Sequence, residues 1–371
     1  MIPFYRPSLG NEEIEEVSEV IRSGWIGLGP KTQEFEEKLQ KYLGAKYVTA
    51  TNSATAALHL ALILAGVKEG DEVISPAFTF VSTNHVILYQ KATPVFCDID
   101  PDTLCADPND IIQKITPKTK AIIVVHYGGH AVDMDPILKI AKQKKIVVIE
   151  DAAHAFGGMY KGKMLGTIGN FGCFSFHAVK NIAMADGGAL FTRSVKLTKK
   201  IKELRWMGIS KDTWQRSGNK KYSWYYDVGE LGYKYHPCDV LSAIGVAQLK
   251  KFPKVLKRKR EIYNMYIKGL SDVVWISLPT EKDYEVNAFH NFTIKLKHRD
   301  KLAAYLKEKG IGTSVHYIPN NHYKMYKKFK SNIPVTEKVW KEVLLLPFFP
   351  DLTDKNVNYI INSIKSFNPR A

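Results

Sequence analysis

The chain has 371 residues and a formal net charge of +16, from 53 lysines and arginines against 37 aspartates and glutamates. Its composition is that of a soluble globular protein, and its length predicts two domains. The longest apolar run, 56–67, is interrupted by His59 and is too short to span a bilayer. No signal-peptide pattern begins the sequence, and the four cysteines show no CxxC or zinc-finger spacing. We therefore expect free thiols, no metal site and a cytoplasmic location.

From about residue 48 to residue 192, short apolar runs alternate with longer amphipathic stretches. Continuous apolar runs separated by helical patterns are typical of a mostly parallel sheet that is buried on both faces. Helices fit between the runs at 55–65, 83–89 and 134–144. The pattern predicts an α/β domain with a mostly parallel, seven-stranded sheet. Its strands are predicted at 47–50, 72–74, 94–96, 121–125, 146–149, 173–176 and 189–192.

After about residue 240 the pattern changes to that of a smaller α+β domain. We predict a long basic helix, an alternating strand, a second helix, a short strand and a closing helix. The domains are expected to be a large one at 1–250 and a small C-terminal one at 251–371. The intervening segment 206–237 is rich in Trp, Tyr and Gly, and we interpret it as a packed segment that could lie between subunits. The predicted elements are 241–266, 290–296, 300–309, 312–317 and 354–367.

The positive charge is concentrated in runs that are separated in the sequence, at 196–202, 250–260 and 324–330. They are interpreted as solvated helix faces, because none of the signatures of a nucleic-acid-binding fold accompanies them. We expect no nucleic-acid partner and no membrane partner. A positive potential also suits an anionic substrate or cofactor.

Polar residues follow several predicted strands, at the edge where ligands collect in open α/β sheets. Ser53, Ala54 and Thr55 follow the first strand and open a helix. Their backbone amides and the helix dipole suit a phosphate group. A simple helix cap by Ser53 explains the same residues.

Lys180 has apolar and small neighbours, whereas most lysines of the chain lie in charged runs. Loss of water disfavours the ammonium form, so Lys180 is a candidate nucleophile for a Schiff base. A surface lysine at a strand end is the alternative. Asp151 ends an apolar strand and suits a protonated pyridine nitrogen, although it could also cap the next helix. His154 could be a polar residue whose hydrogen bonds are all made within the protein.

A phosphate cradle at 53–55, the aromatic residue Phe80, the aspartate Asp151 and the lysine Lys180, in this order along one α/β domain, suit a pyridoxal phosphate (PLP) site. The sequence here resembles, nearly end to end, the PLP-dependent nucleotide-sugar aminotransferases of the DegT/StrS group, within fold-type I. Among its members, it is most similar to 4-amino-sugar synthases such as perosamine synthase. The most specific motifs are 150–155 (Glu-Asp-Ala-Ala-His-Ala) and 174–181 (Phe-Ser-Phe-His-Ala-Val-Lys-Asn). Others are 51–58, 75–80, 232–235 and 315–319.

The resemblance implies that Lys180 forms the internal aldimine with PLP and later carries the proton. It implies that Asp151 pairs with the pyridine nitrogen, that Phe80 stacks on the ring, and that His154 lies by the 3-hydroxyl group.

The resemblance also implies which residues bind the phosphate of the cofactor and which bind the substrate. Ser53, Ala54, Thr55 and Ser175 would hold the phosphate, and His316 would contact the sugar nucleotide. Members of the family work as homodimers with shared active sites, which residues 232–235 of the neighbouring subunit complete.

Two positions depart from the family pattern. Lys234 stands where an asparagine usually contacts the phosphate of the neighbouring subunit's cofactor, and a charge-assisted contact could replace it. Residues 185–188 read Ala-Asp-Gly-Gly, where Gly-Glu-Gly-Gly is commoner.

The implied reaction transfers the amino group of L-glutamate to a keto sugar linked to a nucleotide diphosphate. Residues 175–177 (Ser-Phe-His) resemble relatives that act at C4 of 4-keto-6-deoxyhexoses, which makes amino sugars for lipopolysaccharide O-antigen, other glycans or natural products. Relatives acting at C3 more often have Tyr-Pro at 177–178. The alternatives are therefore a C3 aminotransferase or a PLP sugar dehydratase. The presence of a lysine at position 180 argues against the dehydratase. The sequence does not indicate which nucleotide the sugar carries.

Overall fold

The fold was analysed in a computed structural model, which describes residues 1–211 and 224–369. Within these residues, seven strands form one large sheet, and every predicted strand has a counterpart in it. Apolar residues make up most of these strands, as expected for strands covered on both faces, and Val and Ile are concentrated in the two central strands 119–125 and 147–151. The seven are β1 (Val48–Thr51), β2 (Glu72–Pro76), β3 (Thr93–Cys97), β4 (Thr119–Val125), β5 (Val147–Asp151), β8 (Phe171–Ser175) and β9 (Gly188–Thr192).

The order of strands across the sheet is β1-β9-β8-β5-β4-β2-β3. All neighbouring pairs are parallel except those of β9, which runs antiparallel to β1 and to β8. The predicted mostly parallel sheet is therefore confirmed. Strands β1, β2, β4, β5 and β8 all end at the same edge, which is where the polar residues described above follow them.

Helices cover both faces of the sheet, and the three predicted ones are confirmed with end shifts of at most two residues. The apolar helix α3 begins after Ser53, whose hydroxyl accepts a hydrogen bond from the Ala56 amide at 3.1 Å. The helices of the first part of the chain are α1 (Asn11–Ser23), α2 (Pro30–Leu43), α3 (Ala54–Leu64), α4 (Val81–Tyr89), α5 (Pro108–Gln113), α6 (Met134–Lys144) and α7 (Val195–Leu204).

The second part packs its helices around a two-stranded antiparallel sheet and has its own hydrophobic cluster. The long predicted helix is α8 (Asp239–Leu270), which contributes buried residues to both parts. The predicted domain boundary at 250 lies inside it and stays a prediction. The elements are α8 (Asp239–Leu270), β11 (Phe292–Lys295), α9 (Arg299–Glu308), α10 (Pro334–Val339), β12 (Val343–Leu346) and α11 (Asp354–Lys365). A small sheet adds β6 (Met159–Tyr160), β7 (Lys163–Met164) and β10 (Glu285–Val286).

One strand prediction is wrong. Residues 312–317 form no strand, because β11 pairs with β12 instead, and only an isolated bridge joins Ser314 to Leu345. The run at 324–330 contains the short 3-10 turn Lys324–Tyr326 rather than a long helix face. The other two basic runs do lie on helices, α7 and α8.

The aromatic segment 206–237 is only partly within the described residues, since 212–223 lie outside them. Its described ends pack against the first part of the chain. Tyr233 and Tyr235 stack on each other at 5.0 Å, and the Tyr235 hydroxyl lies 3.0 Å from Nδ1 of His59. The interpretation of a packed segment therefore holds for these residues, and its place between subunits stays a prediction.

All four cysteines are free, as expected. Among the helices that the structure describes, none combines the length and apolarity needed to cross a bilayer.

Candidate active site

A cavity of about 320 Å³ opens at the carboxyl edge of the sheet. A larger groove of about 990 Å³ lies on the second part of the chain, beside Trp275 and Lys338, but no predicted site residue lines it. Because parallel strands end together, residues far apart in sequence meet in the smaller cavity. Nine of the ten predicted site residues line it: Ser53, Ala54, Thr55, Phe80, Asp151, His154, Ser175, Lys180 and His316.

Lys180 lies on the loop that joins the antiparallel strands β8 and β9. This loop is closed by hydrogen bonds of 2.8 Å from the Phe176 amide to the Gly187 carbonyl and from the Ala178 amide to the Ala185 carbonyl. The Tyr5 hydroxyl donates to the Lys180 carbonyl at 3.0 Å. Burial lowers the pKa of Lys180 to about 8, against a smaller opposing effect of the Asp151 charge. Within the described residues its Nζ has no hydrogen bond or ion pair, so the amine is available to react.

Asp151 is the last residue of β5 and is buried. Its Oδ2 accepts a hydrogen bond from the Thr83 hydroxyl at 2.7 Å, and its Oδ1 accepts one from the Ala153 amide at 3.1 Å. Burial raises the pKa of this carboxyl despite these bonds. No cation lies within ion-pair distance among the described residues, so the carboxylate is suited to a cationic partner in the cavity.

The start of α3 faces the same cavity. Since the Ser53 hydroxyl caps the helix, the capping alternative is correct for that group. The amides of Ala54 and Thr55 have no acceptor among the described residues, and the helix dipole favours an anion beside them. Gly188 lies directly against this turn. A Cβ at Gly188 would approach the Ser53 carbonyl carbon to 2.4 Å and the Ala54 nitrogen to 2.6 Å.

His154 is held in one tautomer. Its Nδ1 accepts a hydrogen bond from the Gly128 amide at 3.3 Å, so the proton lies on Nε2, which is 3.1 Å from the Tyr317 hydroxyl. The ring of His290 stacks on it at 4.2 Å. Burial, followed by the charge of Lys180, lowers the pKa of His154 well below its ordinary value. The ring is therefore neutral at physiological pH.

His316 and Tyr317 reach the cavity from the second part of the chain. The Tyr127 hydroxyl donates to the His316 carbonyl at 2.5 Å, and the Asn320 amide donates to the Ala77 carbonyl at 2.8 Å. These bonds fasten the segment to the loop after β4 and to the loop after β2. Burial lowers the pKa of His316 to about 4, so it is a neutral ring at the cavity wall.

Phe80 immediately precedes α4 and leaves 55% of its side chain exposed. Its ring lies 6.0 Å from that of Tyr317. An exposed aromatic face that lines a cavity is suited to stacking on a planar ligand.

Lys234 is the predicted site residue that does not line the cavity. Its side chain is exposed, and its carbonyl accepts a hydrogen bond from the Asn52 side chain at 3.2 Å, one residue before the helix cap Ser53. This position beside the rim leaves its expected contact with a neighbouring subunit's cofactor as a prediction.

Some residues that act through others are not identified by the sequence. The periodicity predicts only that Thr83 lies on a helix, although the successive polar residues Ser82, Thr83 and Asn84 are unusual for a helix that packs against a buried sheet. Tyr317 lies inside the motif 315–319, but the resemblance assigns it no role. Tyr5 carries no signal beyond its place in the N-terminal segment.

The cavity offers a group for each part of PLP. Free amides at a helix start suit the phosphate, an unpaired buried carboxylate suits the pyridine nitrogen, and a lysine with a lowered pKa suits the aldehyde. A neutral histidine and an exposed phenylalanine suit the ring. This donor set on a seven-stranded, mostly parallel sheet is that of a PLP-dependent enzyme of fold-type I.

Comparison with known proteins places the chain in one family of this class. The chain belongs to the DegT/DnrJ/EryC1/StrS aminotransferase family, whose sequence signature matches residues 7–365. It is 43% identical to the protein MJ1066 of Methanocaldococcus jannaschii, over 98% of this chain and 97% of that one. It is 39% identical to the spore coat polysaccharide biosynthesis protein SpsC of Bacillus subtilis, over 98% and 96%.

Among solved structures, the putative sugar aminotransferase Spr1654 of Streptococcus pneumoniae in its PMP form superimposes with a TM-score of 0.93 and is 33% identical. The match covers 99% of this chain and 98% of that one. The same protein was also solved in a PLP form. The predicted family, fold class and cofactor are thereby confirmed.

Proposed function

We propose that the protein transfers the amino group of L-glutamate to the keto carbon of a nucleotide-linked 4-keto-6-deoxyhexose. The observation that carries this proposal is Lys180, an amine with a pKa of about 8, in one cavity with Asp151 and the open start of α3. Membership of a sugar aminotransferase family supports the sugar substrate. The products are 2-oxoglutarate and a 4-amino sugar.

When bound, PLP supplies the electron sink that makes the α-proton of the donor acidic. Lys180 is the group that carries this proton. Because its pKa is close to neutral pH, it both accepts and releases a proton readily. One lysine therefore serves the removal of the amino group from glutamate and its delivery to the sugar.

The other side chains hold and tune the cofactor. Asp151 would keep the pyridine nitrogen protonated through a buried ion pair, and Thr83 orients that carboxylate. The amides of Ala54 and Thr55, with Ser175, would hold the phosphate. Phe80 would stack on the ring and help to exclude water from the site.

His154 and His316 are assigned to polar groups of the ligands. With its Nε2 proton shared with Tyr317, His154 is a neutral partner for the 3-hydroxyl of the cofactor. His316 lies at the cavity wall with Nδ1 unpaired among the described residues, which supports a contact with the sugar nucleotide.

A homodimer with shared active sites is part of the proposal. Exposed apolar side chains near Lys234 support it, since Tyr225 is 71% exposed and Leu231 is 82% exposed. Such side chains together suit burial in an interface. Lys234 would then contact the cofactor phosphate of the neighbouring subunit.

Action at C4 is supported by residues 175–177, of which Ser175 and His177 line the cavity. Supply of a surface polysaccharide is supported by the 39% identity to SpsC. A cytoplasmic location is part of the proposal. The purified protein should be incubated with L-glutamate and a panel of 4-keto and 3-keto sugar nucleotides, with products read by mass.

A mass gain corresponding to amination of a 4-keto sugar, with release of 2-oxoglutarate, is the expected result. Amination of 3-keto sugars alone would indicate the C3 reaction, and loss of water without amine transfer would indicate a dehydratase. Lys180→Ala is the matched control and should give no amino sugar.

A further inference from the structure

A buried lysine lies behind the cavity and has no part in the reaction proposed above. Lys259, on α8, is 1% exposed. Its Nζ donates to Oδ1 of Asn181 at 2.8 Å and to the His290 carbonyl at 3.4 Å, and it lies 5.1 Å from the centre of the Phe348 ring. No carboxylate pairs with it among the described residues. Burying an amine without a counter-ion is costly, so the bonds it makes in return must matter locally.

Both hydrogen-bond partners of Lys259 are connected to the cavity. Asn181 is next to Lys180 in the sequence, and His290 contacts the ring of His154. Asn181 directly follows Lys180, and its Nδ2 donates to the carbonyls of Phe156 at 3.2 Å and Ala288 at 2.7 Å. With Lys259 on its Oδ1, the Asn181 side chain is held from both ends. His290 stacks on His154, so the carbonyl that Lys259 holds belongs to the residue that fixes that ring.

We infer that Lys259 is a positioning residue for the transamination, because it fixes the peptide that carries Lys180 and the ring that supports His154. The inference rests on the proposed function. Lys259 lies on α8, the long helix shared by both parts of the chain. Its hydrogen bonds therefore also tie the geometry of the cavity to the packing of the second part.

The electrostatics agree with this position. Burial is the largest cause of the low pKa of His154, and the charges of Lys180, His316 and Lys259 follow in that order. Burial is also the largest cause of the low pKa of His290, where His154, Lys180 and Lys259 follow. Burial lowers the pKa of Lys259 itself to about 7. In either protonation state its nitrogen retains N–H groups, so the bond to Asn181 persists across neutral pH.

The test compares Lys259→Met with Lys259→Arg, which keeps the donor groups. The first measurement is the single-turnover reaction of the PLP-loaded enzyme with L-glutamate, followed by the absorption of the bound cofactor. For Lys259→Met we expect the maximal rate to fall about tenfold or more, with the half-saturating glutamate concentration changed less than about threefold. Lys259→Arg should recover most of the rate.

Arg299→Met is the matched control, because Arg299 is also a buried cation on a helix. It donates to the carbonyls of Trp340 and Val343, away from the cavity. This variant should lose thermal stability and keep the parent rate. A Lys259→Met rate within about twofold of the parent at saturating PLP overturns the inference.

A second measurement needs no amino donor. The rate at which Lys180 of the cofactor-free protein captures added PLP, trapped with borohydride and read by peptide mass, should fall about tenfold in Lys259→Met. If the parent captures PLP but does not react with glutamate, the proposed donor is wrong while this rate still decides the role of Lys259. Should Lys259→Met not fold, Asn181→Ala must slow both reactions, and parent-like rates in that variant overturn the inference.

Discussion

The Thr83 hydroxyl donates a 2.7 Å hydrogen bond to Oδ2 of Asp151, and this bond joins the first turn of α4 to the end of β5. Asp151 is buried, and its other hydrogen-bond partner among the described residues is the Ala153 amide, which donates to the opposite oxygen. The direction in which the carboxylate faces the cavity therefore depends on Thr83.

Replacing Thr83 by Val should remove that bond while keeping the shape of the side chain. Leaving a buried carboxylate oxygen without its donor should lower the free energy of unfolding by about 1–3 kcal/mol. We also expect weaker PLP binding, measured by quenching of tryptophan fluorescence. Thr79→Val is the control, since the Thr79 hydroxyl bonds the Thr83 hydroxyl, at 3.0 Å, and does not bond Asp151. Equal PLP affinity in both variants would contradict the role of Thr83.

Replacing Asp151 by Asn should change the stability of the cofactor-free protein and its activity in opposite directions. Because burial raises the pKa of Asp151 in the folded protein, its charge destabilises the cofactor-free fold above the ordinary pKa of an aspartate. The penalty is absent at low pH, where the carboxyl is protonated in both states, and is complete once the pH exceeds the folded-state pKa.

The cofactor-free Asp151→Asn protein should therefore be more stable than the parent at pH 7, by about 1 kcal/mol, and lose this advantage toward pH 4. Turnover should fall at least about a hundredfold, because the pyridine nitrogen loses its anionic partner. Thermal melts across pH and the glutamate assay measure the two effects. A variant that is less stable at pH 7 and equally active would refute the assignment.

Lys180 should react as an amine with a lowered pKa. In the cofactor-free protein, its labelling by an amine-specific reagent should reach half of its maximal rate near pH 8, as burial disfavours the ammonium form. Peptide mass spectrometry over a pH series gives the midpoint. A midpoint near the ordinary value for lysine would show that Lys180 is solvated.

Gly188→Ala tests the phosphate cradle. The added Cβ would lie 2.4 Å from the Ser53 carbonyl carbon, so the first turn of α3 must shift. PLP affinity should fall about tenfold or more, since the amides of Ala54 and Thr55 lose their common direction. Gly27→Ala is the control, because nothing lies within 4 Å of a Cβ at that position. Unchanged affinity in Gly188→Ala would place the phosphate elsewhere.

Ala185 adopts a left-handed backbone, with φ of 64°, on the loop that carries Lys180. Glycine takes this conformation without the Cβ clash, so Ala185→Gly should stabilise the protein by roughly 0.5–1 kcal/mol after the entropy of the unfolded chain is counted. Chemical denaturation measures the change. The Ala178 amide bonds the Ala185 carbonyl at 2.8 Å, so PLP affinity should stay close to that of the parent. A loss of stability would mean that the loop does not hold this φ.

By itself, the sequence determined the seven strands, three of the helices between them and nine of the residues that line the cavity. These depend on local periodicity and on the rule that parallel strands end at one edge, so Lys180, Asp151 and the start of α3 could be brought together before any coordinates. The family resemblance added His316 from the second part of the chain.

Only the tertiary structure decided which residues support those groups. Thr83, Tyr317 and Lys259 act through partners that are distant in sequence, and their contacts depend on how helices and loops pack rather than on any local pattern. The same holds for the pairing of β11 with β12, which left 312–317 without a partner strand. Burial, which sets the pKa of Lys180 and of Asp151, likewise exists only in the folded chain, because it is the packed neighbours that exclude water.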